Sequence, residues 1–272
     1  MRITWLAFTL LLPLPAFATD MQYLQGLRDT RYERVEADEL DRSFHVYTML
    51  PESYDADSER VYPTIYVLDG GALFPLLAGY YRYLRLSDEV REAIIVGISY
   101  GSIDFEHGNY RSTDFTAPSD EREWWGGAAA FQRFLENDLI PAIEGQYRSD
   151  AGRRIIFGQS LGGQFVLFSA QTKPGMFWGH IASNPAMHRN LDYFLSERPA
   201  ASSDSLLFVS SATRDEDVYR MPYLAWAKHW RATESKPWKL KAMDLEGHTH
   251  FSAAPAAFRQ GLSWLYAVDS AD

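Results

Sequence analysis

Cysteine is absent from the 272-residue chain, which excludes disulfides, thiolate catalysis and cysteine-ligated zinc. Clustered positive charge is missing too. With 26 basic residues against 36 acidic ones, the net charge of −10 opposes general nucleic-acid binding, because phosphate contacts need a basic surface. After the N-terminal stretch no segment approaches the ~20 apolar residues of a membrane span. No internal repeat, low-complexity tract or long linker divides the sequence. What is present at the start is Arg2, an apolar stretch from Ile3 to Leu14, and Ala16, Phe17 and Ala18 in an AxA-like arrangement. This pattern predicts a signal peptide over 1–18, export to the periplasm or the medium, and a single domain over 19–272 with no membrane span in the mature chain.

Strand-like and helix-like patterns alternate along that domain. Phe44 to Leu50, Pro63 to Leu68, Ala93 to Ile98, Leu206 to Val209 and Leu240 to Leu245 read as strands. Gly126 to Tyr147, Tyr223 to Glu234 and Ala256 to Tyr266 carry helical spacing, with Pro141 bending or interrupting the first. The alternation predicts an α/β fold with a mostly parallel central sheet and helices on both faces. A Gly/Ser/Asp-rich loop runs from Ser99 to about Glu123, a length that commonly carries function, and the adjacent Trp124 and Trp125 suggest an exposed lid or rim.

The chemistry is concentrated at Gly158, Gln159, Ser160, Leu161 and Gly162. A buried-strand signal, Ile155 to Phe157, precedes this GxSxG string, and Phe165, Val166, Phe168 and Ala170 follow at helical spacing. That context fits a nucleophile elbow, in which a serine on a sharp strand-to-helix turn needs side-chain-free neighbours. A serine hydroxyl needs a base, itself oriented by a carboxylate. His248 and His250 lie together where the final strand leads into a helix, so one of them is the candidate base. As a metal site the pair leaves an incomplete coordination sphere, and no metal or cofactor is expected. The candidate acid follows the preceding strand, where Asp215, Glu216 and Asp217 compete. The backbone N–H of Leu161 and that of Gly70 or Gly71 are the candidate oxyanion donors. The remaining histidines, His45, His107, His180, His188 and His229, read as surface or locally hydrogen-bonded residues.

Beyond the elbow, the chain resembles the putative-esterase family of α/β hydrolases, which includes enterochelin and salmochelin esterases, S-formylglutathione hydrolase and the mycolyltransferases. The resemblance rests on Leu50, Pro51, Ser53 and Tyr54, on Tyr62 to Phe74, on Val96 to Tyr100, on Arg111, Asp114, Phe115 and Thr116, and on Gly126 to Arg148 followed by GQSLGG. It implies an α/β-hydrolase fold and a small-molecule ester substrate, with Ser160 as nucleophile, His250 rather than His248 as base, and Asp215 as acid. The siderophore-esterase branch implies a trilactone substrate, and general short-acyl or carbohydrate esters, acyl transfer, or a non-catalytic binding module are the alternatives. For a polyanionic ferric complex, Arg111, Arg82 and Arg85 are the candidate sources of positive charge, the alternative being ordinary surface ion pairs. After the elbow helix the family often carries SPSxWW, whereas this chain has Ser183, Asn184, Pro185, Ala186, Met187 and His188.

Overall fold

The structure is a computed structural model that describes residue 27, residues 29–196 and residues 204–270. The segment 1–18, read above as a signal peptide, lies outside the described residues. Eight strands form one sheet: β1 (Thr30–Ala37), β2 (Arg42–Met49), β3 (Tyr62–Val67), β4 (Ile94–Ser99), β5 (Ser149–Gln159), β6 (Gly179–Ser183), β7 (Leu206–Ala212) and β8 (Lys239–Leu245). Their order is β1-β2-β4-β3-β5-β6-β7-β8. Among the described residues, the β1–β2 and β2–β4 pairings are antiparallel and the other pairings parallel. This is the mostly parallel sheet that the alternating pattern predicts, arranged as an α/β-hydrolase fold.

Helices cover both faces because the central strands are apolar on both sides. Along β5, Ile155 and Phe157 point toward α1 (Gly70–Leu86) and α8 (Ala254–Asp269). Ile156 points the other way, into a core shared with α5 (Leu161–Thr172) and α7 (Asp217–Ala232). Two short helices, α2 (Arg111–Asp114) and α6 (Leu191–Leu195), and the α3 (Ala128–Phe134) and α4 (Ile140–Gln146) pair complete the set. Pro141 interrupts the long helix as expected, through a π-helical turn at Leu135–Leu139 that joins α3 to α4.

The strand order places the site. From β3 the chain crosses through α1 to β4 on one side, then returns through α2, α3 and α4 to β5 on the other. The two crossovers diverge above β3 and β5 and leave a crevice at the carboxyl ends of the strands, the usual ligand position in such sheets. Asp69, Ser99 and Ser160 follow or end β3, β4 and β5, so all three surround the crevice.

The Arg111 to Thr116 element holds the long loop over this opening. The Asp114 carboxylate accepts two bonds from Arg42 at 2.9 and 3.0 Å and one from the Tyr100 hydroxyl at 2.9 Å, tying α2 to β2 and to the end of β4. Thr116 Oγ1 donates to Ser112 O at 2.8 Å.

Candidate active site

Ser160 sits between β5 and α5 at φ 60°, ψ −116°, a conformation that non-glycine residues rarely adopt and that costs about 1–3 kcal/mol. Its surroundings over-determine it: Ser160 N–H donates to Ser183 O at 2.9 Å, and Ser160 O accepts from Gln164 and Ala186 at 2.9 and 3.0 Å. The glycines explain how the turn closes. A Cβ on Gly158 would collide with the Gly162 carbonyl, and one on Gly163 would lie 2.8 Å from Ser183 O. Gly162 is less constrained, since its nearest neighbour is Asp69 Oδ2 at 3.3 Å. Gly163, outside the GxSxG string, is therefore the tighter of the two trailing glycines.

Ser160, His250 and Asp215 form one hydrogen-bonded row. His250 Nε2 is 2.9 Å from Ser160 Oγ, and His250 Nδ1 is 2.8 Å from Asp215 Oδ2. An ionised carboxylate can only accept, so Nδ1 carries the proton and Nε2 is left to accept from the serine hydroxyl. Burial separates the three carboxylates that sequence leaves competing. The Asp215 side chain is 1% exposed and faces the imidazole, whereas Glu216 caps α7 and Asp217 opens its first turn, both exposed. Of the two histidines, His248 turns into its own loop, with Nδ1 3.1 Å from Ser252 O.

Sequence reasoning missed the groups that hold the histidine loop. The His250 carbonyl accepts from Gln159 Nε2 at 2.6 Å and from Asn184 Nδ2 at 3.1 Å. Asn184 Oδ1 accepts the Ala212 N–H at 2.8 Å, so one side chain links the ends of β6 and β7 to the His250 loop. Its φ of 42° is a left-handed value that asparagine tolerates better than most residues, the only local signal in the sequence. Tyr219 packs against the imidazole at a 30° tilt, with ring centroids 4.4 Å apart. His188 meets the Tyr219 ring edge-on, and Trp125 meets His188 likewise. Trp124 is exposed, whereas Trp125 is half-buried within this aromatic group, so the two tryptophans do not act as one rim.

The candidate oxyanion donors are separated by their environments. Leu161 and Gly71 both lie in first turns, where N–H groups have no intrahelical acceptor. Gly71 lines the cleft beside Ser160. Gly70 is buried instead, and a Cβ there would lie 2.5 Å from Ile98 N and 2.6 Å from Gly97 C, so its lack of a side chain lets α1 rest on β4.

Arg111 also lines the cleft, but Asp69 engages its guanidinium through two bonds, Nε to Oδ1 at 2.7 Å and Nη2 to Oδ2 at 2.9 Å. Arg82 and Arg85 are not at the site. They border a separate cavity, and their carboxylate neighbours are Glu52 and Asp88. The reason is the length of α1, whose rise of about 1.5 Å per residue carries them far from its N-terminal end at the cleft. His180 also departs from expectation: it is fully buried in β6, and burial pushes its imidazole down to about 3. Among the described residues no group of three or more His, Asp or Glu could hold a metal ion, and no helix is long and apolar enough to cross a membrane.

Known proteins resemble this chain in sequence and in fold to differing extents. The chain is 37% identical over 170 residues to the ferri-bacillibactin esterase BesA of Bacillus subtilis, covering 57% of this chain and 58% of the relative. It is 29% identical over 166 residues to the apo-salmochelin esterase of Escherichia coli O6:H1, covering 57% and 50%. The matched stretch thus spans between half and three fifths of these curated relatives. Among solved structures, the BES protein from Bacillus cereus superposes with a TM-score of 0.76 at 25% identity, over 88% of this chain and 95% of that one. The siderophore hydrolase EstB from Aspergillus nidulans, at 19% identity, shares the fold with a TM-score of 0.75 over 88% and 96%. Residues 37–261 match the family described as Putative esterase, and to that family this chain belongs.

Proposed function

We propose that this protein hydrolyses carboxylic esters through an acyl-enzyme on Ser160, with His250 as general base and Asp215 fixing its tautomer. The observation that carries the proposal is the continuous row from Asp215 Oδ2 through the imidazole to Ser160 Oγ, with both links at hydrogen-bond distance. The hydroxyl proton passes to His250 Nε2 as Oγ bonds to the ester carbonyl carbon. The oxyanion then faces the N–H groups of Leu161 and Gly71, donors that each supply about 3 kcal/mol in sites of this kind. Collapse breaks the bond to the alkoxy oxygen, which leaves with the proton from Nε2. Water, deprotonated by the same nitrogen, attacks the acyl-serine; the bond from the acyl carbon to Oγ then breaks, Nε2 returns the proton to Ser160 Oγ, and the carboxylic acid is released.

The substrate reading is a siderophore-type ester. Its support is the family and two relatives, a ferri-bacillibactin esterase and an apo-salmochelin esterase. The residues at 1–18 support a further reading, that the enzyme is exported, and N-terminal sequencing of the mature protein tests it. Reaction of the purified protein with a fluorophosphonate, followed by mass spectrometry of the labelled peptide, tests the mechanism. Labelling confined to Ser160 and lost in Ser160→Ala is the expected result; an unlabelled, folded protein would refute it.

A further inference from the structure

The cleft at Ser160 has a volume of about 600 Å³, and its wall carries one fixed cation, Arg111. Its charge is offset by the Asp69 carboxylate, which accepts from Nε at 2.7 Å and from Nη2 at 2.9 Å. Among the described residues no other lysine or arginine lines the cleft. The segment from Ser99 to Tyr110 contains Asp104 and Glu106 and neither lysine nor arginine. On the β7–α7 loop, Arg214 is followed by Asp215, Glu216 and Asp217, and the His250 loop begins at Glu246. Further out, Arg189 pairs with Glu121 and Arg220 with Asp244. Two apolar side chains stand at the rim among polar ones such as Ser102 and Asn109: Ile103 and Phe251 line the cleft and are 96% and 88% exposed. Exposed apolar side chains at the mouth of a cleft favour contact with an apolar or aromatic group.

From this balance we infer that the cleft selects esters without negative charge near the scissile bond, so that among siderophore trilactones it takes the metal-free form in preference to the polyanionic ferric complex. The inference rests on the ester-hydrolase reading and narrows its substrate. An anion entering this opening meets acidic loops and a cation already paired with a carboxylate, so approach is opposed by the local field. A neutral ester meets no such barrier and covers Ile103 and Phe251.

Para-nitrophenyl hexanoate and mono-para-nitrophenyl adipate share a leaving group and a chain length and differ by one terminal carboxylate, so they isolate the charge. The expected result at low ionic strength is a kcat/KM about tenfold higher for the hexanoate, with the gap narrowing as salt is added. Glu106→Lys, an exposed change outside the cleft wall, should raise kcat/KM for the adipate about threefold and leave the hexanoate unchanged. A tris-catechol trilactone should be cleaved faster in its metal-free than in its ferric form. Preference for the adipate or the ferric complex, weakening with salt, would overturn the inference while leaving the esterase reading intact. Absence of turnover with every ester, together with an unlabelled Ser160, would defeat both.

Discussion

Replacing Asp215 by asparagine should do more harm than the loss of one negative charge suggests. Asp215 Oδ1 accepts the Glu216 N–H at 2.8 Å while Oδ2 receives His250 Nδ1–H, also at 2.8 Å. Asparagine offers one acceptor and one donor group to two partners that both donate. If its oxygen stays with Glu216, its NH₂ faces Nδ1 and drives the ring proton onto Nε2, where it blocks transfer from Ser160. The flipped amide sets donor against donor at Glu216, and since the Asp215 side chain is only 1% exposed, that mismatch costs about 1–3 kcal/mol. The first orientation therefore wins, and the imidazole is held in the unproductive tautomer. Catalysis at neutral pH should fall by about 10⁴, equivalent to about 5.5 kcal/mol of barrier. Asp215→Ala, which imposes no tautomer, should lose no more than this. The assay is kcat for a para-nitrophenyl ester, with circular dichroism showing that each variant is folded. A folded Asp215→Asn enzyme within about tenfold of the parent would refute the reasoning.

Other perturbations test the framework around the row. His180 is fully buried and its pKa is lowered to about 3, so the unfolded chain binds a proton below pH 6.5 that the folded chain refuses. Its stabilising contribution is complete above pH 6.5 and is lost as pH falls toward 3, about 2.5 kcal/mol of it by pH 4.5. Urea unfolding at pH 7 and 4.5 should show that this part of the acid loss disappears in His180→Leu; parallel losses in both proteins would count against it. Gly70→Ala would press a methyl on the backbone of Gly97 and Ile98 and should cost about 1–3 kcal/mol. Gly71→Ala meets only the movable Ser99 side chain, 2.8 Å away, so its thermal midpoint should stay near that of the parent. Asn184→Ala removes one of the two donors to His250 O and the acceptor of Ala212 N–H, and should lower kcat about tenfold or more with little change in KM. A KM effect alone would show that Asn184 does not position His250.

The elements legible in the sequence were those whose residues announce one environment. β3, β4 and β7 are mostly apolar and wholly or almost wholly buried because both faces of the sheet are covered. β6, Gly-His-Ile-Ala-Ser, is equally buried, yet small residues and a histidine give it no β-branched signature. β1 is an edge strand whose residues, apart from Ala37, keep some solvent exposure, so its polar sequence looks like a loop. At α1 the pair Gly70 and Gly71 suggests a turn, whereas Gly70 is required for the helix to lie against β4.

Local sequence determined the α/β class, the sharp turn at Ser160 and the short set of histidines and carboxylates available to it, because these depend on periodicity and on the steric needs of a few neighbouring residues. Tertiary structure alone decided which of those groups meet. Burial sets Asp215 apart from Glu216 and Asp217, and loop direction turns His250 toward Ser160 while His248 faces Ser252. It also decided that Arg111 spends its charge on Asp69, 42 positions away in the chain. Pairing, burial and net field at a site arise from contacts between distant segments, and no window of neighbouring residues contains them.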